Sequence, residues 1–149
     1  MHKTYLFETI IKQPVETVYQ IFLDPTMYPK WNTSWGAVQH VRGTWEVGQH
    51  LTFIDDQKGG TKVVVNSLIP NQVIETEHIA MVDRHHQEIE LTDDMMRAWI
   101  GTQEIYSFES ISEGTCLFRV TMVMDEAFAQ MIHEGWSQAI QDFKALCEQ

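Results

Sequence analysis

Asp125-Glu126-Ala127-Phe128-Ala129-Gln130-Met131-Ile132-His133-Glu134-Gly135-Trp136-Ser137-Gln138-Ala139-Ile140-Gln141-Asp142-Phe143-Lys144-Ala145-Leu146-Cys147 is the stretch on which the fold turns. Phe128, Ile132, Gly135, Ala139, Phe143 and Leu146 recur at helical spacing. Gln130, Glu134, Gln138, Gln141 and Asp142 lie mostly away from that stripe. Asp125 suits an N-cap, and Glu126 complements the helix dipole in the first turn. The pattern predicts one long helix from about 125 to 147 with a single apolar face. Such a face needs a partner surface.

Working back from it, six runs rich in Val, Ile, Thr, Phe and Tyr cover roughly 37–42, 49–55, 61–69, 72–82, 99–111 and 115–124. Gly43, Gly48, Gly59-Gly60, Pro70-Asn71, Asp93-Asp94 and Gly114 separate them. Thr4 to Lys12 reads as a further strand at the start. Between it and the others, Pro14 opens a helix whose stripe is Val15, Val18, Tyr19 and Phe22. Pro25 and Pro29 then frame a short second helix or a turn. Residues 83–98 fit two readings, a strand around Glu88 to Leu91 or a partly helical loop. The expected class is α+β: a curved antiparallel meander of about seven strands, two short helices after the first strand, and the long terminal helix. A twisted sheet has a concave apolar face that something must cover, and only the terminal helix is long enough. The space between them is either a filled core or a ligand cavity.

Composition sets outer bounds. A chain of 149 residues suits one domain, 1–149, able to bury a core without metal or disulfide staples. Ten Lys and Arg against 21 Asp and Glu leave a charge of -11, which repels nucleic acid and anionic lipid. Cys116 and Cys147 have no metal-ligand spacing and read as reduced thiols. The apolar stretch after Met1 is interrupted by Glu8 and Lys12, so no signal-peptide core is expected, and no apolar run is long enough for membrane insertion. The expected location is cytoplasmic.

Several short segments, in order, resemble the START/SRPBCC superfamily. Asp24-Pro25-Thr26-Met27-Tyr28-Pro29-Lys30-Trp31-Asn32 resembles its aspartate-proline, then tryptophan segment, and follows a Pro14-x-x-x-Val18-Tyr19 helix start. Val47-Gly48 and Gly114-Thr115 fit its glycines before strands. Gly135-Trp136 resembles the final helix of the branch named for activators of the heat-shock protein 90 ATPase. Trp31-Asn32 is closer to the polyketide cyclase/dehydrase branch. The resemblance implies a helix-grip fold with a deep hydrophobic cavity that takes lipids, sterols, polyketides or other apolar molecules. It also implies two alternatives to plain binding. One is a cofactor-independent cyclase or dehydratase; the other is a co-chaperone module. The latter is disfavoured, because the eukaryotic activators carry a separate N-terminal chaperone-binding domain for which 149 residues leave no room.

On this reading the expected ligand is an apolar small molecule, with no cofactor and no metal. The expected cavity residues are Trp31, Trp35, Phe53, Trp99, Met122, Phe128, Met131, Gly135 and Trp136. Trp31 and Trp99 lead the set, the first near the cavity mouth and the second at the start of a strand. Met95-Met96 beside Trp99 reads as a lid. Among charged residues, Glu75 and Glu77 share a strand face with Val73, Ile79 and Met81; Glu104 and His78 lie in other strand positions. An inward carboxylate would serve acid–base chemistry, an outward one only solvation. Strand parity is open at this level. The seven histidines read as surface residues. Gly135 is the oddity, since glycine inside a helix costs about 1 kcal/mol relative to alanine. Either the sheet approaches closely there or space is left for a guest. The second option predicts that Gly135→Ala raises or preserves stability.

Overall fold

A computed structural model of the chain describes residues 2–55 and 57–149; Met1 and Asp56 lie outside the described residues. The elements are β1 (His2–Ile11), α1 (Val15–Leu23), α2 (Tyr28–Trp31), β2 (His40–Gly43), β3 (His50–Asp55), β4 (Gly59–Ile69), β5 (Val73–Val82), β6 (Glu88–Ile89), α3 (Asp94–Trp99), β7 (Gln103–Ser112), β8 (Thr115–Asp125) and α4 (Ala129–Cys147). A 3-10 turn, Glu126–Phe128, joins β8 to α4, and the Asp125 carboxylate accepts the Ala127 N–H there. Asp125 therefore caps the 3-10 turn, and α4 itself begins four residues later.

The strands form one antiparallel sheet in the order β1-β8-β7-β5-β4-β3-β2, with β6 paired to the far end of β5. From β2 to β8 this is the expected meander. β1 closes it from the other end of the chain, His2 lying opposite Asp125. Both readings of 83–98 hold in part: β6 is a two-residue strand, and α3 is a short helix capped by Asp93, whose carboxylate accepts the Met96 N–H at 2.8 Å. Trp99 accordingly ends α3 and does not open β7, which starts at Gln103.

Two bulges decide which way side chains point. Lys62 pairs with Ala80 but Val63 pairs with His78, so Ile79 is an extra residue in β5; Asn66 is likewise extra in β4. A bulge breaks the two-residue alternation and re-aims the side chains beyond it. Ile74, Thr76 and His78 are buried on the concave face, while Glu75 is exposed on the other. Past the bulge Met81 lies opposite Thr61, and both reach the cavity between the sheet and α4. Sequence alternation had placed Met81 with Glu75 and Glu77.

One buried core runs through the domain, and its densest group of rings lies against the C-terminal half of α4. The α1 stripe of Val15, Val18, Tyr19 and Phe22 is buried as its spacing predicts, with Pro14 at the N-cap position rather than in the first turn. Phe22, Trp31, Phe118 and Phe143 pack ring against ring, with Phe143 centred 4.7 Å from Trp31 and 4.8 Å from Phe118. Cys116 and Cys147 are buried free thiols, and burial pushes the Cys147 thiol up to about 12.

Candidate functional site

A cavity of about 510 Å³ opens between the sheet, α3 and the N-terminal half of α4. Its walls come from α2, α3, α4, the loops beside them and strands β3, β4, β5 and β7. Tyr28 and Asn32 line it from α2 and its end, Phe53 from β3, Thr61 from β4, and His78 and Met81 from β5. Met95, Met96 and Trp99 of α3, Glu104 of β7, and Met131, Gly135 and Trp136 of α4 complete most of the wall. Met95 and Met131 are more than half exposed and mark the rim. α3 carries Met95 and Met96 to that rim because its Asp93 cap orients it beside β8.

Of the nine expected cavity residues, Trp35, Phe53, Trp99, Phe128, Met131, Gly135 and Trp136 line this space. Trp31 and Met122 do not. Trp31 is 1% exposed and its ring stacks into Phe22, Phe143 and Trp136; Met122 is wholly buried on β8 in the core. The α2 segment turns Trp31 inward and gives the cavity its neighbours Tyr28 and Asn32 instead. The buried Trp31 Nε1 has no acceptor among the described residues.

Gly135 needs a third explanation beyond sheet approach or an empty guest space. A Cβ built there falls on the six-membered ring of Trp35, inside van der Waals contact. The Trp35 indole takes the gap, edge-on to Trp136 with ring centres 5.7 Å apart. It is held in place by its Nε1–H donating to Asn32 Oδ1 at 3.2 Å and by Ser34 Oγ donating to the Gly135 carbonyl at 2.8 Å. An alanine there would have to push the indole away, so on this geometry Gly135→Ala is expected to cost stability where an empty guest space predicts that it raises or preserves it.

The polar part of the wall is one connected chain. Trp99 Nε1 donates to Thr61 Oγ1 at 3.2 Å, and Thr61 Oγ1 lies 2.8 Å from His78 Nδ1. His78 Nε2 lies 2.9 Å from Glu104 Oε1, and the Tyr106 hydroxyl donates to Glu104 Oε2 at 2.6 Å. Thr76 pairs with Glu104 across β5 and β7, which makes His78 and Glu104 diagonal neighbours on the concave face. Glu104 faces the cavity, whereas Glu75 is exposed on the opposite side and Glu77 accepts from Asn66 there. His78, at 2% exposure, departs furthest from the surface reading of the histidines. Burial, then the Glu104 charge, pushes the Tyr28 and Tyr106 phenols well above their ordinary range. His86 is half-buried against Thr52 far along the sheet, and burial, then Arg42, pulls its pKa down. Among the described residues no three of His, Cys, Asp and Glu converge as a metal site would require.

The signal for Thr61, His78 and Glu104 was present as polar residues inside apolar runs, but the bulge at Ile79 hid the common face of Thr61 and His78. Tyr28 and Asn32 carried no separate signal.

A curved antiparallel sheet gripping a long C-terminal helix, with a cavity between the two, defines a helix-grip protein. The chain belongs to the family of activator of Hsp90 ATPase homolog 1-like proteins within the SRPBCC superfamily, whose model matches residues 12–148. Solved structures share the fold. A protein from Mesorhizobium loti is 16% identical, covering 97% of this chain and 96% of its own, at a TM-score of 0.75. A Chromobacterium violaceum protein is 21% identical, with 98% and 97% covered and a TM-score of 0.71. The Aha1 dimer from Colwellia psychrerythraea is 19% identical, with 98% and 96% covered and a TM-score of 0.71. No curated protein matches the sequence. Among the described residues no helix is long and apolar enough to cross a membrane.

Proposed function

We infer that the protein, acting as one helix-grip domain, binds an amphipathic small molecule in the cavity between its sheet and α4. The observation that carries this reading is a space of about 510 Å³ walled by aromatic rings and thioethers, with a few polar groups gathered on one side. Ligand sites have that size and that mixture, and thioethers adapt to varied guests. The two free buried thiols fit a reducing compartment such as the cytoplasm. Native mass spectrometry of protein purified from its own host, together with titration of an apolar fluorescent probe, tests the reading. A retained small molecule, or saturable probe binding weakened by Met131→Trp at the rim, supports it. Absence of both overturns it.

A second reading is favoured by the inward-facing His78–Glu104 pair, a feature expected of a catalyst more than of a carrier. In it the protein is a cofactor-independent cyclase or dehydratase on a polyketide-like substrate. Glu104 would take a proton from a carbon acid while His78 and Tyr106 hold the carboxylate in place. Deuterium wash-in at the acidic C–H of a β-ketone probe, present in the native protein and abolished in Glu104→Gln, is the expected result. Wash-in equal to that of buffer removes this reading and leaves binding intact.

A further inference from the structure

We propose that the ligand of this cavity carries an amine on an apolar body, and that Glu104 is the counter-ion for its nitrogen. The proposal rests on the binding reading above and names the chemical class of the guest.

The first ground is the charge on the walls. Among the described residues lining the cavity there are two carboxylates, Glu104 inside and Glu134 near the rim, and neither Lys nor Arg. A fatty carboxylate or a phosphate would bury its charge against like charge with no Lys or Arg among the described lining residues to meet it, which is costly. The chain as a whole carries a charge of -11, a field that gathers cations and repels anions.

The second ground is the direction of the protons. An indole N–H can only donate, so Trp99 gives its proton to Thr61. The single Thr61 proton has two acceptors in reach, His78 Nδ1 at 2.8 Å and the Ala80 carbonyl at 3.3 Å. An ionised carboxylate can only accept, so the His78 Nε2–H donates to Glu104 Oε1. Tyr106 sends its proton to the other oxygen. The hydrogen bonds from His78 and Tyr106 thus both point at Glu104 and orient its carboxylate. Each oxygen keeps a second lone pair, and the side chain, 13% exposed, faces the cavity.

The third ground is the aromatic surround. Tyr28, Phe53, Trp99 and Trp136 line the same space, and the negative faces of such rings attract organic cations. Tyr28 lies near enough to Glu104 to feel its charge. A carboxylate with aromatic faces around it offers an ammonium both a partner and a lining that replaces water.

Three probes with one naphthyl body and different heads test this: naphthylethylamine, naphthylethanol and naphthylacetate, titrated by tryptophan fluorescence and calorimetry. The amine is expected to bind about tenfold or more tightly than the alcohol, a difference within reach of one desolvated charge pair, and the acetate weakest of all. In Glu104→Gln, whose folding is checked by its melting temperature, the amine should lose its advantage over the alcohol. Equal binding of amine and alcohol to the native protein overturns the proposal and leaves the cavity reading standing. Failure of all three to bind overturns both. Should Glu104→Gln not fold, the order of the heads on the native protein decides alone.

Discussion

Phe143 and Gly135 lie on the same stripe of α4 and meet opposite surroundings. Phe143 has no exposed surface and touches Phe22, Trp31 and Phe118 at ring-centre distances between 4.7 and 6.0 Å. Gly135 meets a half-buried tryptophan from a loop and, beside it, the cavity. The C-terminal half of the helix packs into the ring cluster; the N-terminal half is buried too, through Ile132 and Trp136, but also walls the cavity. Phe143 sits where rings interlock, whereas the cavity and its polar groups lie on the Gly135 side, where a filled core would exclude them.

The division is testable, and the largest effect is expected in the packed half. Phe143→Ala should lower unfolding free energy by about 3–5 kcal/mol, as loss of a buried ring generally does, measured by urea denaturation. A loss below about 1 kcal/mol, the size of an ordinary substitution, would mean that the two halves do not differ. Next comes the gap at Gly135. Gly135→Ala should cost about 1–3 kcal/mol as the Trp35 indole is displaced, and the same change in a Trp35→Ala background should become neutral or stabilising, because only the helix propensity gain is left. A stabilising Gly135→Ala in the native background would instead restore the reading of an empty guest space.

A smaller effect should come from the turn after β3. Asp55 Oδ1 accepts the backbone N–H groups of Gln57 at 2.8 Å and Lys58 at 2.6 Å, and those bonds, the Lys58 one first, hold its carboxyl below the usual range. A lowered folded-state pKa stabilises above the unfolded-state value and loses that contribution as pH falls through the folded one. Asp55→Ala should therefore cost about 1–2 kcal/mol at neutral pH, and its deficit against the native protein should shrink in acid. A deficit independent of pH would assign the effect to packing. Smallest of all, Met131→Ala at the rim should change stability by no more than about 0.5 kcal/mol while weakening the apolar probe. A change large in stability and absent in binding would move Met131 from the cavity to the core.

The long helix, the α1 stripe and the strand runs were readable because periodicity is a local property: an amphipathic element states its buried face in its own residues. The family segments around Pro25 and Gly135-Trp136 were readable for the same reason. What no local pattern holds is where a strand slips by one residue. The extra Ile79 in β5 depends on its pairing with β4, and on that pairing rests the common face of Thr61, His78 and Met81. Trp35 in the gap beside Gly135 is a contact across about two-thirds of the chain, and the turn of Trp31 away from the cavity depends on Phe143, farther still. The sequence by itself determined the elements and their order, because each carries its own hydrophobic period. Only the tertiary structure decided the cavity and its charged wall, because both arise from registers and packing between elements that no single element encodes.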